Sequence, residues 1–262
     1  VLYFDKYAGP GEKAVVILHG LFGSAKNFAS LAEGLSDLAT VYAYDARNHG
    51  RSEHRATHSL EDITDDLENF LSAEAIEHPI LLGHSMGGLT AMNFARRHSR
   101  GARALVILDI APRSYAPGHE NEIAALSIDV SAALNRQEID AAMSRYLSDP
   151  VVRQFLQMNL MRTEAGVFRW MNNVAAIASS PGRTVFPEYN PPLSPVPVLA
   201  IRGLLSDYVS DRDVELMRAA FPALEMHDFA DAGHWLHYTH RSQVSGLVRG
   251  FLQGLSKHRR PL

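Results

Sequence analysis

The chain has 262 residues, 46% of them apolar, with 25 Lys and Arg against 29 Asp and Glu for a formal net charge of −4. That length suits one large α/β domain, or a domain with an insertion, and the near balance of charge argues against nucleic acid or an anionic membrane surface as a partner. Cysteine is absent, which excludes disulfides, thiolate nucleophiles and thiolate metal sites.

The opening residues, VLYFDKYAGPGEK, lack a basic stretch followed by an apolar one, and the first residue is Val, which leaves a preceding segment open; a cytoplasmic location is the default expectation. No apolar run approaches the ~20 residues of a membrane helix, so no stable membrane insertion is expected. AVVILHG (residues 14–20) is a continuous apolar, β-branched run ended by glycine, as in a strand buried on both faces of a parallel sheet. Phe28, Leu31, Leu35 and Leu38 follow at helical spacing. TVYAYDARNHGRS (40–52) is a second strand running into a polar loop, in which Asp45 and Arg47 are read as loop-pinning groups and His49, His54 and His58 as loop and surface residues. Leu60, Ile63, Leu67, Phe70 and Leu71 mark a helix with Ser59 as its N-cap. HPILLGHS (78–85) is a third strand, Leu89, Met92, Asn93 and Arg96 a helix, and ARALVILDIAP (102–112) a fourth strand. PVPVLAIRG (195–203) is a fifth strand and LEMHDFADAGH (224–234) a weaker sixth. Helices follow each, around Val214, Met217, Arg218 and Phe221 and around Val244, Leu247, Val248, Phe251 and Leu255. This alternation predicts an α/β fold with a mostly parallel, doubly wound sheet covered by helices on both faces.

Between Pro112 and Pro191 the alternation fails. Ile123, Leu126, Val130 and Leu134 form one helical stripe and Ile139, Met143, Tyr146 and Leu147 another, and the spacing predicts two more helices over 151–161 and 167–177. Residues 113–191 therefore read as an inserted helical cap, and residues 1–112 and 192–262 as the core around it. The basic end, KHRRPL, reads as a solvated tail.

The chemistry concentrates where strands end. ILLGHSMGGL (80–89) holds a Gly-x-Ser-x-Gly between a strand and a helix. Glycines at 83 and 87 free the tightest part of the turn, so Ser85 is presented on a strained bend at a helix N-terminus, a nucleophile's position. A serine hydroxyl needs a base, and among 13 histidines the candidate is His234, between the last strand and the last helix. His237 and His240 follow at spacings of three, but with no acidic neighbour beyond Asp231 no metal site is read. His84 is read as a framing residue of the pocket. An oxyanion needs two donors, for which the candidates are the backbone amides of Met86, after the nucleophile, and of Leu21, in the loop LHGLFGSAKNF after the first strand.

HGLFGS, DARNHGRS, GHSMGG, DIAP and AGHW stand in that order along the chain. The sequence thereby resembles the α/β-hydrolases, and within them the small bacterial esterases of the YbfF group, over nearly its whole length and least in the cap. The resemblance implies an α/β-hydrolase fold with a helical cap, no cofactor, and hydrolysis of a small-molecule acyl ester or thioester by a Ser-His-acid triad. Cofactor-free perhydrolases and carbon–carbon bond hydrolases use a similar serine and stay open, as does a receptor that hydrolyses little. The acid has two candidates. The common family frame Gly-x-x-Asp-x-x-Val falls on GLLSDYVS, where Ser206 occupies the acid's place and Asp207 lies one residue late. Asp109, in the shared DIAP, is the preferred acid; Asp207 is the alternative, with Ser206 assisting by hydrogen bonding. Phe22, Trp235, Met143, Met158, Met161 and Met171 are expected to line the acyl pocket with His84, because methionine adapts to long chains, the alternative for the methionines being that they fill the cap's own core; Arg113, at the cap hinge, is a candidate contact for an anionic substrate group. A monomer or homodimer is expected.

Overall fold

Unbroken apolar runs become strands because both sheet faces are covered, so no position is left for a polar side chain. A computed structural model describes residues 1–116, 118–180 and 182–257. In chain order the first half contains β1 (Phe4–Tyr7), β2 (Ala14–Leu18), α1 (Ala29–Leu35), β3 (Thr40–Tyr44), α2 (Leu60–Ala73), β4 (Ile80–His84), α3 (Met86–Arg97) and β5 (Ala104–Leu108). An insertion follows: α4 (Glu120–Leu126), α5 (Arg136–Met143), α6 (Pro150–Gln157), β6 (Leu160–Arg162), β7 (Phe168–Trp170) and α7 (Val174–Ser179). The chain then returns through β8 (Val198–Gly203), α8 (Asp211–Ala220), β9 (Leu224–Phe229), α9 (Leu236–Thr239) and α10 (Arg241–Lys257).

The seven-stranded sheet has the order β1-β3-β2-β4-β5-β8-β9, parallel throughout except for β1, which runs antiparallel to β3. β3 pairs on one side of β2 and β4 on the other, so the winding reverses there, and a ligand crevice forms outside the strand ends at such a reversal. The carboxyl ends of β2, β4, β5 and β8 are in register: Leu18 pairs Gly83, His84 pairs Leu108, and Leu108 pairs Ile201. One core layer packs Val16, Leu18, Leu81 and Ile107 against α2, α3 and α8; the other packs Val15, Ile17, Leu82 and Leu108 against α1 and α10. Ser59 caps α2 through a reciprocal pair of bonds with Asp62. The insertion has its own apolar cluster, including Ile139, Phe155, Leu156 and Ile177, into which Phe22 inserts from the β2–α1 loop.

Several features differ from the sequence reading. In the insertion α4 ends at Leu126 and α5 at Met143, so the stripes through Leu134 and Tyr146 do not continue as helix and both residues are exposed, and the helix expected over 167–177 is confined to Val174–Ser179. β1 was not anticipated, because FDKY offers only a short half-exposed edge. The helix predicted over 151–161 stops at Gln157, and residues 160–170 form a hairpin pairing Leu160 with Trp170 and Arg162 with Phe168. Its turn uses Gly166 in the left-handed region (φ 79°), with the Gly166 amide donating to the Thr163 carbonyl at 2.8 Å. Apolar spacing over so few residues does not separate a short strand from a helix. Finally, His49 and His58 are fully buried; of the three loop histidines only His54 is exposed. The tail from residue 258 onward lies outside the described residues. Among the described residues no helix is long and apolar enough to cross a membrane.

Both ring nitrogens of His58 are buried without a hydrogen-bond partner. Burial first, then the Arg47 charge, pulls its pKa from 6.5 down to about 3. The native state thus refuses a proton that the unfolded chain accepts, so the stabilising contribution is complete above pH 6.5 and is lost as pH falls toward 3. His58→Leu removes the unpaired nitrogens at similar volume. The expected result is a small change in thermal midpoint at pH 7.5 and a gain at pH 5 of about 2 kcal/mol relative to the parent. Equal effects at both pH values, measured by calorimetry, would refute the assignment.

Candidate active site

The turn from β4 to α3 leaves no room for a side chain at either flanking glycine. A Cβ on Gly83 would strike the Gly87 carbonyl oxygen, and one on Gly87 would strike the Leu18 carbonyl oxygen of β2. Between them Ser85 has φ 51° and ψ −118°, a conformation that costs a residue with a Cβ on the order of 1–3 kcal/mol. Its amide donates to the Leu108 carbonyl at 3.1 Å and its carbonyl accepts from Leu89 at 2.9 Å, so the bend is held from both sides. Ser85 stands at the head of α3, where the helix presents its positive end.

A second left-handed residue closes β5. Asp109 (φ 52°) is buried. Its Oδ1 accepts the Gly203 amide at 2.9 Å, and its Oδ2 accepts the Ser206 hydroxyl and lies 2.8 Å from Nδ1 of His234. A carboxylate only accepts, so Nδ1 of His234 carries the proton and Nε2 is left as the basic nitrogen. Asp207 is exposed at the mouth of the cavity containing Ser85; the one-residue offset directs Ser206, not Asp207, onto the buried carboxylate. Tyr208 stacks on the His234 ring at 3.8 Å and 14°. Its hydroxyl lies 3.0 Å from Nε2 of His119 in the insertion. Burial, then the Glu122 and Asp109 charges, pushes that hydroxyl's pKa up to about 12.

His84 sits beneath this group. Its Nε2–H donates to the His234 carbonyl at 2.8 Å, and its ring lies 4.7 Å from the His234 ring. Burial, helped by His237 and His234, holds it well below the usual imidazole range, so it stays neutral. His237 stacks on Phe28 at 4.6 Å and is lowered to about 3 by burial, whereas His240 pairs with exposed Asp231 at 3.2 Å. The three spaced histidines thus occupy three different surroundings.

The loop after β2 lies against the serine. A Cβ on Gly20 would come to 3.2 Å from the Ser85 Cβ and 2.6 Å from Nδ1 of His84. The Gly23 amide donates to the Gly20 carbonyl at 2.9 Å, closing a turn, and Phe22 within it is left-handed (φ 59°). Leu21 and Met86, the two amide candidates, line one cavity with Ser85. Asp45 and Arg47 pin the neighbouring loop. Asp45 accepts from the amides of Ala25 (2.7 Å) and Arg51 (2.8 Å), and Arg47 pairs with Asp66 (2.6 Å) and Asp62 (2.9 Å).

The expected pocket lining needs correction. The cavity at Ser85 is about 430 Å³ and is walled by Leu21, Met86, Leu89, Ile110, Tyr115 and Tyr208. Met143 is fully buried in the insertion's own core, since it follows Ile139 by one helical turn on the same inward face. Met158, Met161 and Met171 line a different cavity, of about 610 Å³, with Tyr3, Arg51 and Trp170. Phe22 and Trp235 pack into the insertion's cluster and His84 lies below the serine, so none of the seven residues lines the Ser85 cavity. Arg113 does reach it, but its guanidinium is engaged by Asp213 at 2.6 Å and lies over the Tyr115 ring at 3.9 Å. Tyr208, His119, Glu122 and Arg183 at the cavity went unread, because nothing local to their sequence marks them.

Comparison with known proteins agrees with this architecture. A family model described as alpha/beta hydrolase fold matches residues 13–241. The sn-1-specific diacylglycerol lipase ABHD11 of Mus musculus is 34% identical over 251 residues, covering 91% of this chain and 80% of its own. Esterase YbfF of Escherichia coli K12 is 33% identical over 240 residues, covering 91% and 92%. A solved structure described as a marine microorganism esterase superposes with a TM-score of 0.89 at 37% identity, covering 95% of this chain and 98% of its own. Relatives named as esterases and lipases support placing the chain among the serine ester hydrolases of this fold. The match along most of its length makes the chain a member of the α/β-hydrolase family.

Proposed function

We propose that this protein is a serine carboxylesterase that cleaves acyl esters, thioesters included, through an acyl-enzyme on Ser85, with His234 as base and Asp109 as its orienting acid. The observation that carries the reading is the shared corner of the fold. A strained serine at a helix head opens into a cavity with Tyr208, and Tyr208 stacks on a histidine whose Nδ1 is bound to a buried carboxylate. In this scheme Ser85 Oγ attacks the acyl carbon while Nε2 of His234 takes its proton. The Leu21 and Met86 amides receive the developing oxyanion. Imidazolium then returns the proton to the leaving alcohol or thiol. Water, deprotonated by the same nitrogen, attacks the acyl-serine, and the carboxylic acid departs. Asp109 stays ionised throughout and fixes the ring. The scheme calls on no cofactor.

Residues 113–191 act as the cap, their return leg packing Phe186 and Tyr189 onto the main core. The apolar walls given by Leu89, Ile110 and Met86 suit the acyl part, and a cavity of about 430 Å³ favours short and medium chains. A fluorophosphonate probe tests the nucleophile directly. The expected result is one adduct, on the peptide containing Ser85, blocked by prior incubation with p-nitrophenyl butyrate. An adduct on another residue would reject the assignment, and no turnover of p-nitrophenyl acetate, butyrate or decanoate would favour a receptor.

A further inference from the structure

Phe22 is gripped on both of its peptide groups. Its amide donates to Nε2 of buried His49 at 3.0 Å, and its carbonyl accepts from Nδ2 of Asn159, in the insertion, at 2.6 Å. Its ring is buried in the insertion's apolar cluster. Two features show that these contacts are imposed rather than incidental. Phe22 is left-handed at φ 59°, where a residue with a Cβ relaxes unless held. Asn159 is buried with its Oδ1 unpartnered, while Nδ2 donates to both the Phe22 carbonyl and the Leu156 carbonyl (3.1 Å). Two acceptors leave the amide a single workable orientation. A leucine would fill the same space without a buried unpaired oxygen, so what Asn159 provides is the bond to Phe22. His49 is itself fixed, its Nδ1–H donating to the Arg47 carbonyl at 2.9 Å, which leaves Nε2 free to accept.

We propose that His49 and Asn159 are positioning residues, a two-sided clamp on Phe22 that sets the direction of the preceding Leu21 amide toward the oxyanion. This rests on the reading of Leu21 as an oxyanion donor. The turn's own bond uses the Gly23 amide and His49 takes that of Phe22, so the Leu21 amide is committed to neither. The Leu21 N–H belongs to the Gly20–Leu21 peptide, one plane before the central plane that His49 holds, so the clamp acts on it through the Leu21 Cα: without the His49 acceptor the central plane and the loop from Gly20 to Gly23 are no longer fixed at their far side. Without Asn159 the next plane is loose. Either change loosens the loop that carries a donor whose value depends on being aimed before the charge forms. The insertion therefore contributes to the chemistry through the loop after β2 as well as by covering it.

The test compares Asn159→Ala, His49→Leu and His49→Gln with the parent on p-nitrophenyl butyrate and on its thiono analogue, whose sulfur makes a poor oxyanion acceptor. The parent's preference for the oxygen ester over the thionoester, relative to hydroxide, reports the oxyanion site itself. If that preference is absent, the Leu21 reading fails before the clamp is reached. With it present, Asn159→Ala and His49→Leu are expected to lower kcat about 10- to 100-fold on the oxygen ester with KM within about twofold. They should lose much less on the thionoester. His49→Gln, which restores an acceptor, is expected to recover most of kcat. Unchanged kcat in the folded variants, or equal losses on both substrates, overturns the clamp. The two positions lie in different parts of the fold, so a variant that fails to fold leaves the other as the test.

Discussion

Ser85→Ala is expected to lower kcat for p-nitrophenyl butyrate by about 10⁵- to 10⁶-fold, with KM changed little. In the proposed scheme the loss is this large because the serine, its base and its orienting acid act as one unit: without an attacking oxygen the imidazole has nothing to activate. What survives is the rate from the binding and amide contacts alone. Ser85→Gly is the stricter control. It removes the same hydroxyl and also relieves the φ of 51°, so it should be equally inactive yet melt higher than Ser85→Ala, by about 1 kcal/mol or more. A nucleophile role predicts lost activity together with retained or improved stability in these two variants. Turnover within tenfold of the parent in either would end the assignment of Ser85.

Asp109→Asn is the second large effect, about 10⁴-fold in kcat. The substitution keeps the shape of a side chain that touches Gly203, Ser206 and His234. It changes the proton bookkeeping, since an amide NH₂ facing Nδ1 enforces the tautomer that carries its proton on Nε2, where the serine's proton must go. It also deprives the imidazolium of its counter-charge. Asp207→Asn should change kcat by less than about threefold, as expected of an exposed carboxylate at the cavity mouth. Ser206→Ala removes one bond to the Asp109 carboxylate and should fall between the two. Steady-state kinetics of the three variants checks the order, and a greater loss in Asp207→Asn than in Asp109→Asn would reverse it.

Much of the fold was legible residue by residue. The runs that became β2, β3, β4, β5 and β8 are unbroken because both faces of the sheet are covered, and that requirement is written locally. Ser85 was legible for a related reason: two glycines around a serine, between a strand and a helix, satisfy a steric demand within five residues. β1 and the β6–β7 hairpin were not, because four- and three-residue strands carry too little periodicity. His49 and His58 misled because a polar loop sequence does not reveal that the insertion will cover it.

By itself, then, the sequence determined the succession of the core's parallel strands and the bend at Ser85, both matters of spacing along the chain. Tertiary structure alone decided which carboxylate meets His234 across 125 residues and which amide holds Phe22 across 137. It also decided which side chains wall the cavity. The physical reason is that a hydrogen-bond partner or a packed neighbour is chosen by proximity in space, and a one-residue offset such as Ser206 for Asp207 becomes meaningful only when the strand ends have been brought together.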